Sequence, residues 1–466
     1  MEEIQDSVER TLEQAGYTKV AKSYILYRKQ REKMRNMHSS ILNYKDVVDS
    51  YLKVADWRVK ENSTVTYSVG GLILSNSGAI TANYWLSEVY DEEIADAHRN
   101  ADIHIHDLSM LTGYCAGWSL KQLIQEGLGG VTGKITSGPA KHLSVLCNQM
   151  VNFLGTMQNE WAGAQAFSSF DTYLAPFVKA DNLSYEQVLQ CIQSFVYGVN
   201  TPSRWGTQAP FTNITLDWTV PDDLAELPAI VGGKEMDFCY KDCKKEMAMV
   251  NKAFIETMLE GDYNGRGFQY PIPTYSITSE FDWSDTENNR LLFEMTAKYG
   301  TPYFSNYINS DMKPSDVRSM CCRLRLDLRE LRKKSGGFFG SGESTGSVGV
   351  VTINMPRIAY LAKDEADFYK RLDHLMDLSA RSLKVKRDVI SQFLEAGLYP
   401  YTKHYLGTFN SHFSTIGLIG MNEVGLNAKW IGEDMTHESC QKFAKEVLDH
   451  MRERLSDYQE MYGDLY

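Results

Sequence analysis

The sequence is short of positive charge: 48 Lys plus Arg stand against 60 Asp plus Glu, a net charge of −12. That balance argues against a protein that covers DNA or RNA, although a local pocket can still hold a small anion. Cysteine is sparse as well. The eight residues, at 115, 147, 191, 239, 243, 321, 322 and 440, are too few and too irregular to staple a chain of 466 residues with disulfides. No membrane span is expected, since uncharged stretches such as Leu108 to Leu120 are broken by Gly, Ser, Thr and Cys. The N-terminus, Met-Glu-Glu-Ile-Gln-Asp, is acidic where a signal peptide is basic and then apolar, so a cytoplasmic location is expected. Internal repeats, low-complexity segments and Pro-rich linkers are also missing. What is left is a composition of 43% hydrophobic, 12% aromatic and 23% charged residues, that of a folded globular protein.

Alternation of strand-like and helix-like segments points to one large α/β body with a helical N-terminal appendage. Residues 1–36 read as a helical hairpin, with Ile4, Val8 and Leu12 at helical spacing and Gly16 breaking the run. From Val65 to Trp85, β-type runs alternate with Gly70-Gly71, Asn76 and Gly78, and a helix is expected from Ser87 to Ala101. A long helix is expected from His142 to Phe177. Another starts at Ser184, where Ser184-x-x-Gln187 forms a capping box, and the two suggest an antiparallel pair. Phe211 to Trp218 and Val348 to Met355 read as strands, Lys241 to Gly261 and Phe368 to Phe393 as helices.

Several local constellations suit chemistry. Ser319-Met-Cys321-Cys322-Arg323 is a vicinal cysteine pair between arginines. Positive neighbours favour thiolate, whereas a protected interior suits a thiyl radical; the plainer alternative is two small buried residues. Ser335 to Ser347 holds five glycines in thirteen positions, either a surface loop or a backbone cradle for an anion without the P-loop lysine. Asp102-Ile-His104-Ile-His106-Asp107 puts both histidines on one face of an extended segment, for hydrogen bonding to a polar substrate more readily than for metal, since no third ligand is in register. Tyr114-Cys115-Ala-Gly117 places a thiol nearby. Arg204 to Asn213 groups Arg, Gln and Asn around turns, a rim for a polar ligand. Cys239-x-x-x-Cys243 lacks a second ligand pair and reads as loop thiols.

In this order, His104-Ile-His106-Asp107, Tyr114-Cys115-Ala-Gly117, Gln208-Ala-Pro-Phe-Thr-Asn213, Met320-Cys321-Cys322-Arg323 and Gly349-Val-Val-Thr-Ile-Asn354-Met-Pro-Arg357 resemble the anaerobic ribonucleoside-triphosphate reductases of the glycyl radical enzyme superfamily. The resemblance covers residues 40–466. It implies a ten-stranded α/β barrel of two five-stranded halves, residues 37–466, threaded by a finger loop with a cysteine at its tip. Cys322 matches that tip, the thiyl that abstracts the 3′ hydrogen of the ribose. Cys115 matches the cysteine that faces the substrate and supplies a reducing equivalent, with Cys321 taking part in re-reduction. His104, His106, Asn213, Ser347 and Asn354 are the expected substrate-binding positions; no metal ligands are expected among them.

Three departures refine what the resemblance implies. The family's radical glycine and four-cysteine zinc site near the C-terminus have no counterpart here, so the expectation is a shortened chain that does not initiate turnover alone. Residues 1–36 resemble only the last helices of an ATP-cone, so overall activity regulation is expected to be absent. Cys321 and Ser347 stand where formate-using members typically carry Gly and Asn, which favours a thioredoxin- or glutaredoxin-like reductant over formate. The implied partners are a ribonucleoside triphosphate substrate, nucleoside triphosphate effectors, a radical S-adenosylmethionine activating enzyme and a second copy of the chain, with neither membrane nor nucleic acid. The helices at 142–177 and 184–200 are the candidate effector interface. The rival readings are another glycyl radical enzyme of the pyruvate formate-lyase type and a non-catalytic nucleotide-binding module.

Overall fold

The computed structural model describes residues 2–28, 31, 44–53, 67–204, 206–310 and 344–466. Two compact units divide the chain, Met1–Asn83 and Tyr84–Tyr466. In the first, the helix Glu2–Gln14 ends at Gly16, whose φ of +79° suits a residue without Cβ, and helix resumes over 18–28. Arg28 closes this hairpin by binding Asp6 at 2.6 Å and Glu9 at 3.0 Å. The β-type reading of 65–85 is wrong: Val69–Tyr84 is an α-helix. Its glycines look like strand punctuation but cost a helix only about 1 kcal/mol each, and Ser68 Oγ accepts the Gly71 N–H at 3.1 Å to start the first turn.

Among the described residues, ten strands lie in the second unit: β1 (Ile103–Ile105), β2 (Cys115–Trp118), β3 (Gln165–Phe167), β4 (Thr212–Leu216), β5 (Pro228–Val231), β6 (Lys234–Cys239), β7 (Ile272–Ile277), β8 (Tyr303–Asn306), β9 (Gly346–Asn354) and β10 (His412–Ile419). β5 and β6 form a separate hairpin turned by Gly232 and Gly233, both at positive φ. The other eight, among the described residues, form one curled α/β sheet, a half-barrel. β2, β3, β4, β7 and β8 run parallel in that spatial order. β9 then runs antiparallel to β2, and β10 parallel to β9, so the direction reverses at the β2/β9 seam. The central finger loop expected around Cys321 and Cys322 lies outside the described residues.

Parallel neighbours require crossovers, and helices supply them. Leu143–Met157 links β2 to β3, Phe170–Ala180 and Tyr185–Asn200 link β3 to β4, Lys244–Glu260 leads to β7, and Glu287–Tyr299 joins β7 to β8. The long helix expected over 142–177 is therefore two helices with β3 between them. Nor is the pair antiparallel: Gly198 abuts Val151 and Gly155 abuts Ser203, so both helices advance in the same direction, as successive crossovers of a parallel sheet must. The expected capping box is present, Ser184 Oγ accepting from Gln187 N at 3.4 Å and Gln187 Oε1 from Ser184 N at 2.9 Å. The 31-residue helix Glu365–Glu395 buries Leu372, Met376, Leu383 and Ile390 against the β9–β10 layer.

Candidate active site

β10 pairs with one edge of β9 along its whole length, so β1 and β2, which also pair with β9, share the other edge. β1 meets the end of β9, at Ile103 opposite Ile353, and β2 its beginning, at Cys115 opposite Ser347. They are the two halves of one interrupted strand. Residues 107–113 bulge out between them, held at either end by His106 N to Val350 O at 3.0 Å and Tyr114 N to Ser347 O at 3.1 Å. Asp107 opens this break at φ +56°.

A β-bulge at Val348 shifts the register, since Phe413 pairs with Ser347 and Ser414 with Gly349. The bulge brings Ser347, Val350, Thr352 and Asn354 to one face of β9, and Gly349, Val351 and Ile353 to the other, against the Glu365–Glu395 helix. Ser347 Oγ lies 2.9 Å from Thr415 Oγ1 and donates to Gly349 O at 2.9 Å. By the same alternation, Cys115 opposite Ser347, His104 opposite Thr352, and Asn213, level with Gly117 through Ala166, share that face. The face away from the helix thus gathers Cys115, His104, His106, Ser347 and Asn213. Asn354 lies at the far end of β9, where its amide is engaged by backbone: Nδ2 donates to Ala101 O at 2.9 Å, and Oδ1 accepts from Arg357 N at 3.3 Å as the cap of the next helix. Cys321 and Cys322 lie outside the described residues.

Cys115 is fully buried, among Ala164, Tyr114 and Phe211. Its Sγ accepts the Ala164 N–H at 3.2 Å, and Gly163 approaches so closely that an added Cβ would sit 2.7 Å from the sulfur. His106 Nε2 is 2.8 Å from Thr352 Oγ1, and the His98, His104 and His106 rings follow one another at 5.4 and 4.7 Å. Burial, with His104 nearby, holds His98 and His106 below the ordinary imidazole range, so these two hydrogen-bond as neutral rings at neutral pH.

Two charged groups converge on the break. Arg204, which the sequence placed on a polar rim, is buried and gives its guanidinium to Trp161 O at 2.7 Å, to Gln208 Oε1 at 3.0 Å and to Gln158 O. Burial pushes it down to about 10, opposed by Asp107, so it stays charged at neutral pH. Lys386 was missed. It is 3% exposed, and its Cδ lies 2.9 Å from where a Cβ on Gly349 would be. The sequence did carry a signal for it, because Lys386 stands three residues after Leu383 and four before Ile390, on the apolar stripe of its helix.

Other features play no part at this face. A cleft of about 450 Å³, lined by Asp217, Thr219, Ser276 and Thr278, opens at the carboxyl ends of β4 and β7, whereas Cys115 begins β2 at the opposite end of the parallel strands. Cys239 and Cys243 are free and donate to the carbonyls of Glu226 and Cys239. Among the described residues, no three His, Cys, Asp or Glu side chains converge to hold a metal ion, and no helix is long and apolar enough to cross a membrane.

Known proteins resemble the chain in sequence and in fold. Residues 61–466 match the family model for anaerobic ribonucleoside-triphosphate reductase, and residues 1–33 match that of the ATP cone domain. The anaerobic ribonucleoside-triphosphate reductase of Salmonella typhimurium is 23% identical over 415 residues, covering 82% of this chain and 54% of the relative. That of Enterobacteria phage T4 is 23% identical over 428 residues, covering 79% and 63%. The chain thus spans about half the length of the first of these relatives. Among solved structures, an anaerobic ribonucleotide reductase superposes with a TM-score of 0.71 at 23% identity, over 93% of this chain and 73% of that one. The Thermotoga maritima enzyme in complex with dATP and CTP superposes with a TM-score of 0.68 at 23% identity, over 94% and 76%. From a family match over most of its length and a shared half-barrel fold, the chain belongs to the anaerobic ribonucleoside-triphosphate reductase family.

Proposed function

We propose that this chain forms the substrate-binding barrel for anaerobic reduction of ribonucleoside triphosphates to 2′-deoxyribonucleoside triphosphates. The observation that carries the reading is the β2/β9 seam, where a fully buried thiol, Cys115, stands opposite Ser347 on the face that also holds His104, His106 and Asn213. A radical reaction on a sugar needs a thiol kept from water and oxygen, and a buried thiol on a sheet face with convergent polar groups suits that need. In this reading Cys115 supplies a reducing equivalent, Cys322 abstracts the ribose 3′ hydrogen and Cys321 assists re-reduction. His104, His106, Asn213 and Ser347 orient the ribose through hydrogen bonds, and Asn354 acts indirectly by fixing the end of β9.

Family membership supports nucleoside triphosphate effectors, a radical S-adenosylmethionine enzyme that raises a glycyl radical and a second copy of the chain as partners, and Cys321 and Ser347 favour a redoxin over formate. The described residues offer no zinc site, so no step is assigned to zinc. The test is calorimetric titration with CTP, ATP, dATP, dGTP and dTTP while the oligomeric state is recorded. Saturable binding is expected; a folded chain that binds none of them at millimolar concentration refutes the reading.

A further inference from the structure

The outer edge of β1 is covered by a side chain instead of a strand. Among the described residues, β9 is the one strand that pairs with β1. His106 N donates to Val350 O at 3.0 Å and Asp102 O accepts from Asn354 N at 3.1 Å, so Ile105, in the other phase, turns its N–H away from β9. Ile105 is buried, and a buried N–H needs a partner. It finds one in His98 Nδ1, at 3.1 Å. His98 arrives on the helix Glu92–Arg99, which a tight turn folds back along β1. In that turn Ala101 stands at φ +60° and Asp102 N closes on Ala97 O at 2.9 Å. The end of β9 and the helix after it hold the turn, Asn354 Nδ2 donating to Ala101 O at 2.9 Å and Arg357 Nε to Asp102 Oδ1 at 2.7 Å.

The bond to Ile105 fixes the state of the His98 ring. Only a bare ring nitrogen can accept an N–H, so the neutral ring carries its proton on Nε2. Burial, with His104 and Arg99 nearby, keeps His98 below the ordinary imidazole range, which agrees with a bare Nδ1 at neutral pH. The ring also begins a row. His98 packs on His104 at 5.4 Å, His104 meets His106 at 4.7 Å and His106 meets Tyr114 at 6.1 Å, measured between ring centres. The row thus crosses the strand break and ends at the residue before Cys115.

We propose that His98 is a positioning residue that locks β1, and with it His104 and His106, through the acceptor lone pair of Nδ1. It acts through Ile105 and His104. In the function proposed above His104 and His106 orient the ribose, so loosening β1 weakens nucleotide binding. That consequence rests on the proposed function, whereas the lock itself does not.

Two substitutions separate the lock from packing, because the two roles rank them oppositely. His98→Asn loses the ring and keeps an acceptor, its Oδ1 standing near the place of Nδ1; His98→Phe keeps a ring and loses the acceptor. Hydrogen exchange at the Ile105 amide, read by mass spectrometry on the folded full chain, is expected to speed up about tenfold in the Phe variant and to stay within about threefold of wild type in the Asn variant. CTP affinity, measured by calorimetry, is expected to fall in the same order. A packing role predicts the reverse, with Phe near wild type and Asn loosened. That order, or equal exchange in the two variants, overturns the proposal. If the Phe variant does not fold, nitrogen-15 NMR of the histidine rings decides, with His98 assigned by its loss in His98→Asn: a bare Nδ1 supports the lock and a protonated Nδ1 overturns it. A wild-type chain that binds no CTP while its exchange follows the expected order sinks the function and leaves the lock standing.

Discussion

The seam between the parallel half and β9 depends on one glycine. Gly346 pairs with Ala116, and a Cβ there would lie 2.2 Å from Cys115 O, 2.9 Å from Ala116 Cα and 3.0 Å from Cys115 C. All three are backbone atoms, so no rotamer change relieves the clash. Gly346→Ala must push β2 and β9 apart, at an overpacking cost of about 1–3 kcal/mol. Separation also strains the Gly117 N to Thr345 O bond of 2.7 Å and the Tyr114 N to Ser347 O bond of 3.1 Å, at about 1 kcal/mol each. Alanine recovers about 0.4–1 kcal/mol by restricting the unfolded chain, which leaves a net loss of about 3 kcal/mol. Gly417→Ala on β10 is the matched control, since its Cβ would meet Thr352 Oγ1 at 3.4 Å and Val351 O at 3.9 Å, both ordinary contacts. Urea unfolding followed by tryptophan fluorescence should show a clearly lower midpoint for Gly346→Ala and little change for Gly417→Ala. A Gly346→Ala chain within about 0.5 kcal/mol of wild type would refute the close-approach reasoning, because that is the spread of ordinary surface changes.

Two further outcomes follow from buried polar groups. Asp171 is fully buried and accepts from Asp217 N at 2.8 Å, Trp218 N at 2.9 Å, Thr172 N at 3.1 Å and Asn251 Nδ2 at 2.9 Å. Asp171→Ala strands four donors and should cost about 3–5 kcal/mol in urea unfolding; a loss under about 1 kcal/mol would mean that water replaces the carboxylate. His412 is fully buried, and burial together with the Arg387 charge pushes it down from 6.5 to about 3. The folded state thus keeps His412 neutral while the unfolded chain takes up a proton below 6.5, so its contribution is present above 6.5 and is lost as pH falls toward 3. Between pH 7.5 and 5 this is about 2 kcal/mol, and His412→Gln should flatten that part of the stability profile; an unchanged slope would show that other groups set it.

Much of this arrangement was legible in the sequence, for identifiable reasons. The strands at 211–218 and 348–355 carry β-branched runs, and the capping box at Ser184 is a local signal that needs no tertiary context. His104 and His106 share a face because alternation is a property of any extended backbone. The rest depends on partners distant in sequence. β3 is three residues long and fixed by Ala116 on one side and Thr212 on the other, so its own letters do not separate it from the helices around it. The helix Val69–Tyr84 was misread because glycine and asparagine punctuate strands and only weaken helices. Lys386 was overlooked because lysine on a helix ordinarily reads as solvated, and only the uncovered edge of β9 makes room for it.

The interrupted strand has a consequence for how this site can vary. β1 and β2 take their registers from β9 separately, so neither is set by the length of chain between them. In an unbroken strand, one inserted residue would turn every later side chain over and move Cys115 to the wrong face. Here residues can be gained or lost between Asp107 and Gly113 while His104 and Cys115 stay in place. The break is thus a stretch of this sheet face whose length is uncoupled from the side on which His104 and Cys115 stand.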